Sequence, residues 1–326
     1  MIKTIYNSKL KNNKLFLDRL RTELTQICMD NGIALGFRID GRIKTLESIE
    51  DKIQRNKLKS IDEVYDVIGL RIICLWERDV HKLHELLKDE LKVTWETNTF
   101  DRLDDNQFGY QSRHYQVQFN DNWLQSPTTR IFKNISAEVQ IRTIAQHLWA
   151  TASHELQYKI EQEVPSEMKR SINRVSALLE TIDLEFERVL SEKESYVDKI
   201  EHNTKVDIVE FLSLPINADT LEQYSKYKYP DLDISKYWQN ALLHDLNKDR
   251  YKTLKDLDNI VNKAKDVIDL HSKESPGLYG KSTDYITKSL AVADPEFKKN
   301  HGFSPMTLES LERIFDTVNT VTRFFL

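Results

Sequence analysis

At 326 residues, with 40% hydrophobic and 30% charged side chains and only 8 Gly and 7 Pro, the composition is that of a helix-rich globular protein with room for two domains. It excludes a disordered or fibrous chain, and a net charge of −5 excludes a nucleic-acid binder that relies on overall charge, leaving only a local basic patch open. No apolar run is long enough to span a bilayer, and Met1–Leu20 lacks a charged-then-apolar leader pattern, so the expectation is a cytosolic protein without membrane contact. Cys28 and Cys74 are the only cysteines and lack metal-type spacing; Cys74, inside an apolar run, reads as a small buried hydrophobe.

In chain order, residues 1–32 read as a helix, with Leu10, Leu15, Phe16, Leu20 and Leu24 recurring among polar residues and Asn31-Gly32 as its stop. Ile33–Ile43 reads as a strand, and the segment KTLESIEDKIQRNK after it as an amphipathic helix on Leu46, Ile49 and Ile53. Val64–Trp76 is an almost unbroken apolar, β-branched run, as expected of a strand buried on both faces. A helix over 79–91 and a short strand over 92–97 lead into the polar loop 98–107. Beyond it, Tyr115, Val117 and Phe119 alternate with His114, Gln116 and Gln118, a half-buried strand. In Ser136–Lys159 the period changes: Glu138, Gln140 and Arg142 alternate with Val139 and Ile141, then Ile144, Leu148, Ala152 and Leu156 fall four apart. The first half is a strand presenting acid, amide and guanidinium on one face, the second a helix with Thr143 suited to its N-cap. Strands then cease. Residues 166–199 form one long helical pattern behind Pro165, and 207–326 carry further helical stripes separated near Pro215, Pro230, Pro276 and Pro305. The division expected from this pattern is an N-terminal helix over 1–32, a mixed domain over 33–165, a long linking helix over 166–204 and a helical module over 205–326.

Several residues in this frame suit phosphate chemistry. Lys44, Ser48 and Lys52 are spaced four apart, with Arg42 just ahead, so a helix there would gather cations and a hydroxyl near its N-terminus, where anions bind. The bland alternative is a solvated face balanced by Glu47, Glu50 and Asp51. No glycine-rich phosphate loop occurs, so side-chain cations would have to hold a nucleotide. Asp66 opens the most apolar strand, a costly place for a carboxylate unless it is paired or binds a metal. With Glu138 from a second strand it makes a natural pair for Mg²⁺, which takes one or two carboxylates plus phosphate oxygens. Strict alternation puts Arg71 on the face opposite Asp66, so a shared site requires a bulge, expected at Gly69. Tyr110 suits base stacking, His114 lies on the polar face of its strand, and His154 and Tyr158, one turn apart, are placed to brace Glu138 or Arg142. His147 has no evident partner, and His244-Asp245 alone does not make a metal-dependent phosphohydrolase.

Five segments in this order, GRIKTLESIEDK, YDVIGLRI, GYQSRH, EVQIRT and WATASHELQYK, resemble the synthetase domain of the RelA/SpoT family, the nucleotide pyrophosphokinases that make pppGpp and ppGpp; the likeness spans about residues 33–160. The resemblance implies an α+β fold, a nucleotidyltransferase-like mixed β-sheet flanked by helices, here followed by an all-helical C-terminal extension. It implies transfer of the β,γ-pyrophosphate of ATP to a ribose 3′-hydroxyl of GDP or GTP with release of AMP. By that match Arg42, Lys44, Ser48, Lys52 and Arg71 hold ATP, Asp66 and Glu138 carry Mg²⁺ and the catalytic step, and Tyr110, His114, Gln140 and Arg142 line the acceptor site. His154 and Tyr158 support them.

Two departures qualify the match. Thirty-two residues leave no room for the family's hydrolase domain, so alarmone breakdown is not expected. The loop FDRLDDNQFGYQS carries one cation, Arg102, among Asp101, Asp104 and Asp105, where housekeeping synthetases place lysines on acceptor phosphates. That loop is more like those of the toxic small synthetases of toxin–antitoxin systems, some of which pyrophosphorylate the 3′-CCA end of tRNA. Three functions follow: a guanine-nucleotide pyrophosphokinase, the same chemistry on tRNA, or a catalytically inactive sensing protein, against which Asp66 and Glu138 both speak. The C-terminal module is expected either to restrain the active site or to recognise a partner, as an attached antitoxin or trigger-sensing domain would, and homo-oligomerisation is left open.

Overall fold

The computed structural model describes residues 2–98, 112–156, 166–246 and 250–324. They divide into two compact units, 1–191 and 192–326, with the division inside one long helix.

The first unit is built on a mixed five-stranded sheet of order β1-β2-β5-β4-β3. Its strands are β1 Asp40–Ile43, β2 Ile68–Cys74, β3 Leu91–Asn98, β4 Arg113–Phe119 and β5 Ala137–Thr143. Only the central β2–β5 pair is parallel; the other pairs are antiparallel. Alternation assigns the two faces. Ile68, Leu70 and Ile72 of β2, Tyr115, Val117 and Phe119 of β4, and Val139 and Ile141 of β5 enter one core. That core is covered by α1, Ile2–Asp30, through Phe16, Leu17, Leu20, Leu24 and Cys28, and by α3, Glu77–Glu90, through Val80, Leu83 and Leu87. Both cysteines are buried free thiols, and burial pushes the Cys28 thiol up to about 11. The opposite sheet face carries the polar residues.

Two expected strands are shorter than their apolar runs. Of 33–43 only Asp40–Ile43 is a strand; the preceding residues touch β2 through a single bridge, Leu35 to Cys74. Of 64–76 only Ile68–Cys74 pairs, because Ile61 and Val64 turn aside to pack with Ile49 under α2, Leu46–Arg55. Helix α4, Ile144–Leu156, follows β5 directly, and α5, Ser166–Val206, packs Ile172 and Leu179 against Trp149 of α4.

The second unit is helical among its described residues. After the end of α5 come α6 Ile208–Ser213, α7 Ala218–Lys228, α8 Lys236–Leu246, α9 Leu254–Lys263, α10 Lys265–Glu274, α11 Ser282–Ala293, α12 Pro295–Asn300 and α13 Pro305–Phe324. Side-chain oxygens of Asp207, Asn217, Thr253 and Asp294 accept from the first-turn N–H groups of α6, α7, α9 and α12, explaining why these helices start where they do. Phe211, Leu221, Tyr224, Leu254, Leu257, Ile286 and Leu290 form its main core. His271 is fully buried beside a separate, smaller cluster that includes Tyr279, its Nδ1 paired with Tyr279 OH at 2.6 Å and its Nε2 with Ser310 Oγ at 2.8 Å. Asp245 of the His244-Asp245 dipeptide pairs with His301 Nδ1 at 2.6 Å. No helix among the described residues is long and apolar enough to cross a membrane.

Candidate active site

The polar sheet face is set by strand register. Gly69 of β2 lies opposite Arg42 of β1 and Glu138 of β5; Arg71 lies opposite Asp40 and Gln140; Ile73 lies opposite Arg142. On the far side of β5, Gln116 and His114 of β4 lie opposite Glu138 and Gln140. Residues opposite one another in register share a face, so Asp40, Arg42, Arg71, Glu138, Gln140, Arg142, His114 and Gln116 lie on one surface. A small cleft on it is lined by Asp40, Arg42, Asp66, Gly69, Arg71, Glu138 and Gln140.

The bulge expected at Gly69 is absent: β2 pairs in unbroken register with both neighbours. Asp66 reaches the cleft by another route, since it sits in the turn before β2 and strand alternation does not bind it. Lys44 likewise lies outside the helix expected to carry it. Thr45 is the N-cap of α2, its hydroxyl accepting from Ser48 N–H at 3.3 Å and donating to Ser48 Oγ at 2.9 Å. Lys44 and Lys52 nonetheless converge on one carboxylate. Lys44 Nζ donates to Asp66 Oδ2, and Lys52 Nζ lies 2.9 Å from Asp66 Oδ1. Burial pushes the Asp66 carboxyl up, but the two lysines outweigh it and hold it below the ordinary carboxylate range.

Glu138 is held differently. His114 Nδ1 is 2.8 Å from its Oε1, and Gln140 Nε2 donates to its Oε2 at 3.1 Å. Arg142 in turn donates to Gln140 Oε1 at 2.7 Å, and His114 Nε2 pairs with Ser112 Oγ at 2.6 Å. Burial pushes Glu138 up, the hydrogen bonds from His114 and Gln140 pull it further down, and the Asp66 charge opposes them; the net direction is down. Both carboxyls are therefore ionised at neutral pH and close enough to feel each other's charge.

That donor set fits Mg²⁺. Among the described residues no group of three or more His, Cys, Asp and Glu could enclose a metal, but two carboxylates on one phosphate-sized cleft are what a hard ion completed by substrate oxygens requires.

Of the residues singled out from sequence, Tyr110 and Tyr158 lie outside the described residues, and of His154 only the backbone, in α4, is described. Three residues were not legible in advance. Asp40 enters only through the β1–β2 register. Gln116 donates to the Tyr65 carbonyl at 2.9 Å and to Ser136 Oγ at 2.7 Å, tying β4 to the turn that carries Asp66. His147, one turn into α4, lies beside the Phe37 ring, with centroids 6.2 Å apart. The alternating polar face of β4 was the one available signal, for Gln116.

The chain is similar in sequence to known proteins. Residues 41–163 match the region found in RelA / SpoT proteins. The GTP pyrophosphokinase YjbM of Bacillus subtilis is 30% identical over 156 residues, which cover 47% of this chain and 72% of that protein. The GTP pyrophosphokinase YwaC of the same organism is 27% identical over 189 residues, covering 55% of this chain and 87% of the relative. Among solved structures, the small alarmone synthetase 2 of Bacillus subtilis is similar at 27% identity with a TM-score of 0.48, over 57% of this chain and 98% of that one. With residues 41–163 matching that region and 30% identity to YjbM over 72% of its length, the chain belongs to the RelA/SpoT family.

Proposed function

We propose that this protein transfers the β,γ-pyrophosphate of ATP to the ribose 3′-hydroxyl of GDP or GTP, forming ppGpp or pppGpp and releasing AMP. The observation that carries the reading is the meeting of Asp66 and Glu138 on a cleft that Arg42 and Arg71 also line, with Lys44 and Lys52 both paired to Asp66. Family membership supports it, since relatives of this chain are named GTP pyrophosphokinases.

In this reading Arg42, Lys44, Ser48, Lys52 and Arg71 bind and orient the donor, placing positive charge where the phosphates crowd. Mg²⁺, held by Asp66 and Glu138, would supply Lewis-acid polarisation of the phosphate oxygens when bound. The acceptor 3′-oxygen attacks the β-phosphorus, the bond between that phosphorus and the α,β-bridging oxygen breaks, and AMP leaves. Glu138 takes the hydroxyl proton at a carboxylate oxygen, with His114 and Gln140 fixing its orientation. Tyr110, Gln140 and Arg142 position the acceptor.

One observation favours a second acceptor. The loop before Tyr110 holds Asp101, Asp104 and Asp105 against Arg102 alone, a poor place for an acceptor 5′-polyphosphate and a tolerable one for a tRNA 3′ end. Incubation with γ-labelled ATP and GDP, GTP or deacylated tRNA separates the two. Label in the nucleotide is the expected result, label in tRNA alone transfers the conclusion to the second acceptor, and absence of AMP with every acceptor sinks both. Asp66→Asn and Glu138→Gln are each expected to lower turnover about 100-fold or more.

A further inference from the structure

Helix α5 packs on the first unit through Ile172 and Leu179, which meet Trp149, and through Asp183, which accepts from Thr143 Oγ1. A second apolar stripe runs along the same helix and faces outward. Val175, Leu178, Ile182, Phe186 and Val189 each expose between 42% and 59% of their surface. At 3.6 residues per turn the five fall within about 80° of arc and about 21 Å of helix, beside the buried face and not on it. Leu184, also exposed, lies on the other side of the helix. Phe186 meets the edge of Trp76, with centroids 6.3 Å apart, and still leaves half its surface to water. One exposed apolar side chain is ordinary, whereas a continuous row of them marks an interaction surface.

The spacing identifies what covers the row. Counted from Ile182, Leu178 and Phe186 stand four residues away on either side, and Val175 and Val189 seven. The row therefore reads the same in both directions, so a copy of the helix running the opposite way presents the same steps. Charge agrees with that direction. Ahead of Ile182 the helix carries Lys169, Arg170 and Arg174 against Glu180; beyond it come Asp183, Glu185, Glu187, Glu192 and Glu194 against Arg188 and Lys193. Antiparallel pairing lays the basic turns beside the acidic ones, and parallel pairing would set like charges together.

We propose that α5 pairs antiparallel with α5 of a second copy of this chain, across a two-fold axis at Ile182. Val175 then packs beside Val189 of the partner subunit, and Leu178 beside Phe186 of the partner subunit. A self-complementary patch of this kind is what a two-fold interface requires.

The oligomeric state of the full-length protein is the test. Light scattering behind a sizing column is expected to give a dimer at about 10 μM, and Ile182→Glu, at an exposed position, to weaken it at least about tenfold with helical circular dichroism unchanged. Direction is read by oxidative cross-linking, since both native thiols are buried. Ile182→Cys should join to its own copy. Val175→Cys and Val189→Cys should join when mixed, and neither should join alone. A parent that stays monomeric up to about 100 μM overturns the proposal, as does an Ile182→Glu variant that dimerises like the parent. Val175→Cys joining to itself would mean parallel helices and overturn it too. A monomer destabilised in urea by Ile182→Glu would show that the chain covers its own stripe, which equally ends the idea.

Discussion

Gln116 illustrates how a single amide can set a site it does not enter. Buried on β4, it grips the Tyr65 carbonyl and Ser136 Oγ, so the turn presenting Asp66 is tied to the strand beside Glu138. Gln116→Leu removes both bonds and leaves their partners unpaired, an expected loss of about 1–3 kcal/mol in urea unfolding together with reduced AMP release. Unchanged turnover would mean that Lys44 and Lys52 alone hold the turn. Asp183 of α5 behaves oppositely. It exposes 9% of its surface, accepts from Thr143 Oγ1 at 2.6 Å, and is pushed up to about 6 chiefly by burial, with Glu77 and Glu180 adding to it. An acid whose pKa is raised in the folded state binds its proton there more tightly than in the unfolded chain, so stability falls as pH rises from about 4 through about 6. Asp183→Asn keeps an acceptor for Thr143 without the charge. It should therefore raise stability at pH 7.5, by at most about 3 kcal/mol, and lose that advantage below pH 4. A Tm difference independent of pH would contradict this.

At the scale of elements, α1 and β1 approach closely at position 41. A Cβ there would meet Leu17 Cδ1 at 2.7 Å, so Gly41→Ala must shift the Leu17 side chain or the backbone on either side. The expected cost is about 1–3 kcal/mol in denaturant unfolding, and a stability equal to the parent would show that Leu17 yields freely. The same elements show what sequence pattern can convey. Glu138, Gln140 and Arg142 were legible because a two-residue period is a local property, and Thr143 caps α4 as its place at the period change implied, accepting from Gln146 N–H at 3.1 Å. The apolar composition of Ile33–Ile43 was misleading: most of it packs without pairing, and composition does not distinguish a strand from a buried connection. Asp40 could not be read at all, since it joins the site through strand register, which depends on residues far away in the chain. Asp66 was singled out from the sequence but placed in the strand, because the apolar run around it begins in the turn ahead of β2.

Among the described residues, the core under the sheet and the main core of the C-terminal helices have no residue in common. Calorimetry is expected to resolve two unfolding transitions, and one coincident transition with equal calorimetric and van't Hoff enthalpies would count against independent units. We propose that the helical unit restrains the catalytic one or senses a partner such as an antitoxin or trigger; removing residues 205–326 should then change AMP release or toxicity, and a truncated chain identical in both respects would end that idea.

The parallel pairing of β2 with β5 has a consequence for biosynthesis. Since β5 is the last strand made yet lies between β2 and β4, a nascent chain halted before Ala137 exposes two unpaired strand borders and lacks Glu138. On the role proposed for Glu138, such an intermediate is sticky and inert together: it invites chaperone capture or misassociation on the ribosome, while the cell is spared any turnover until the final strand threads into its slot.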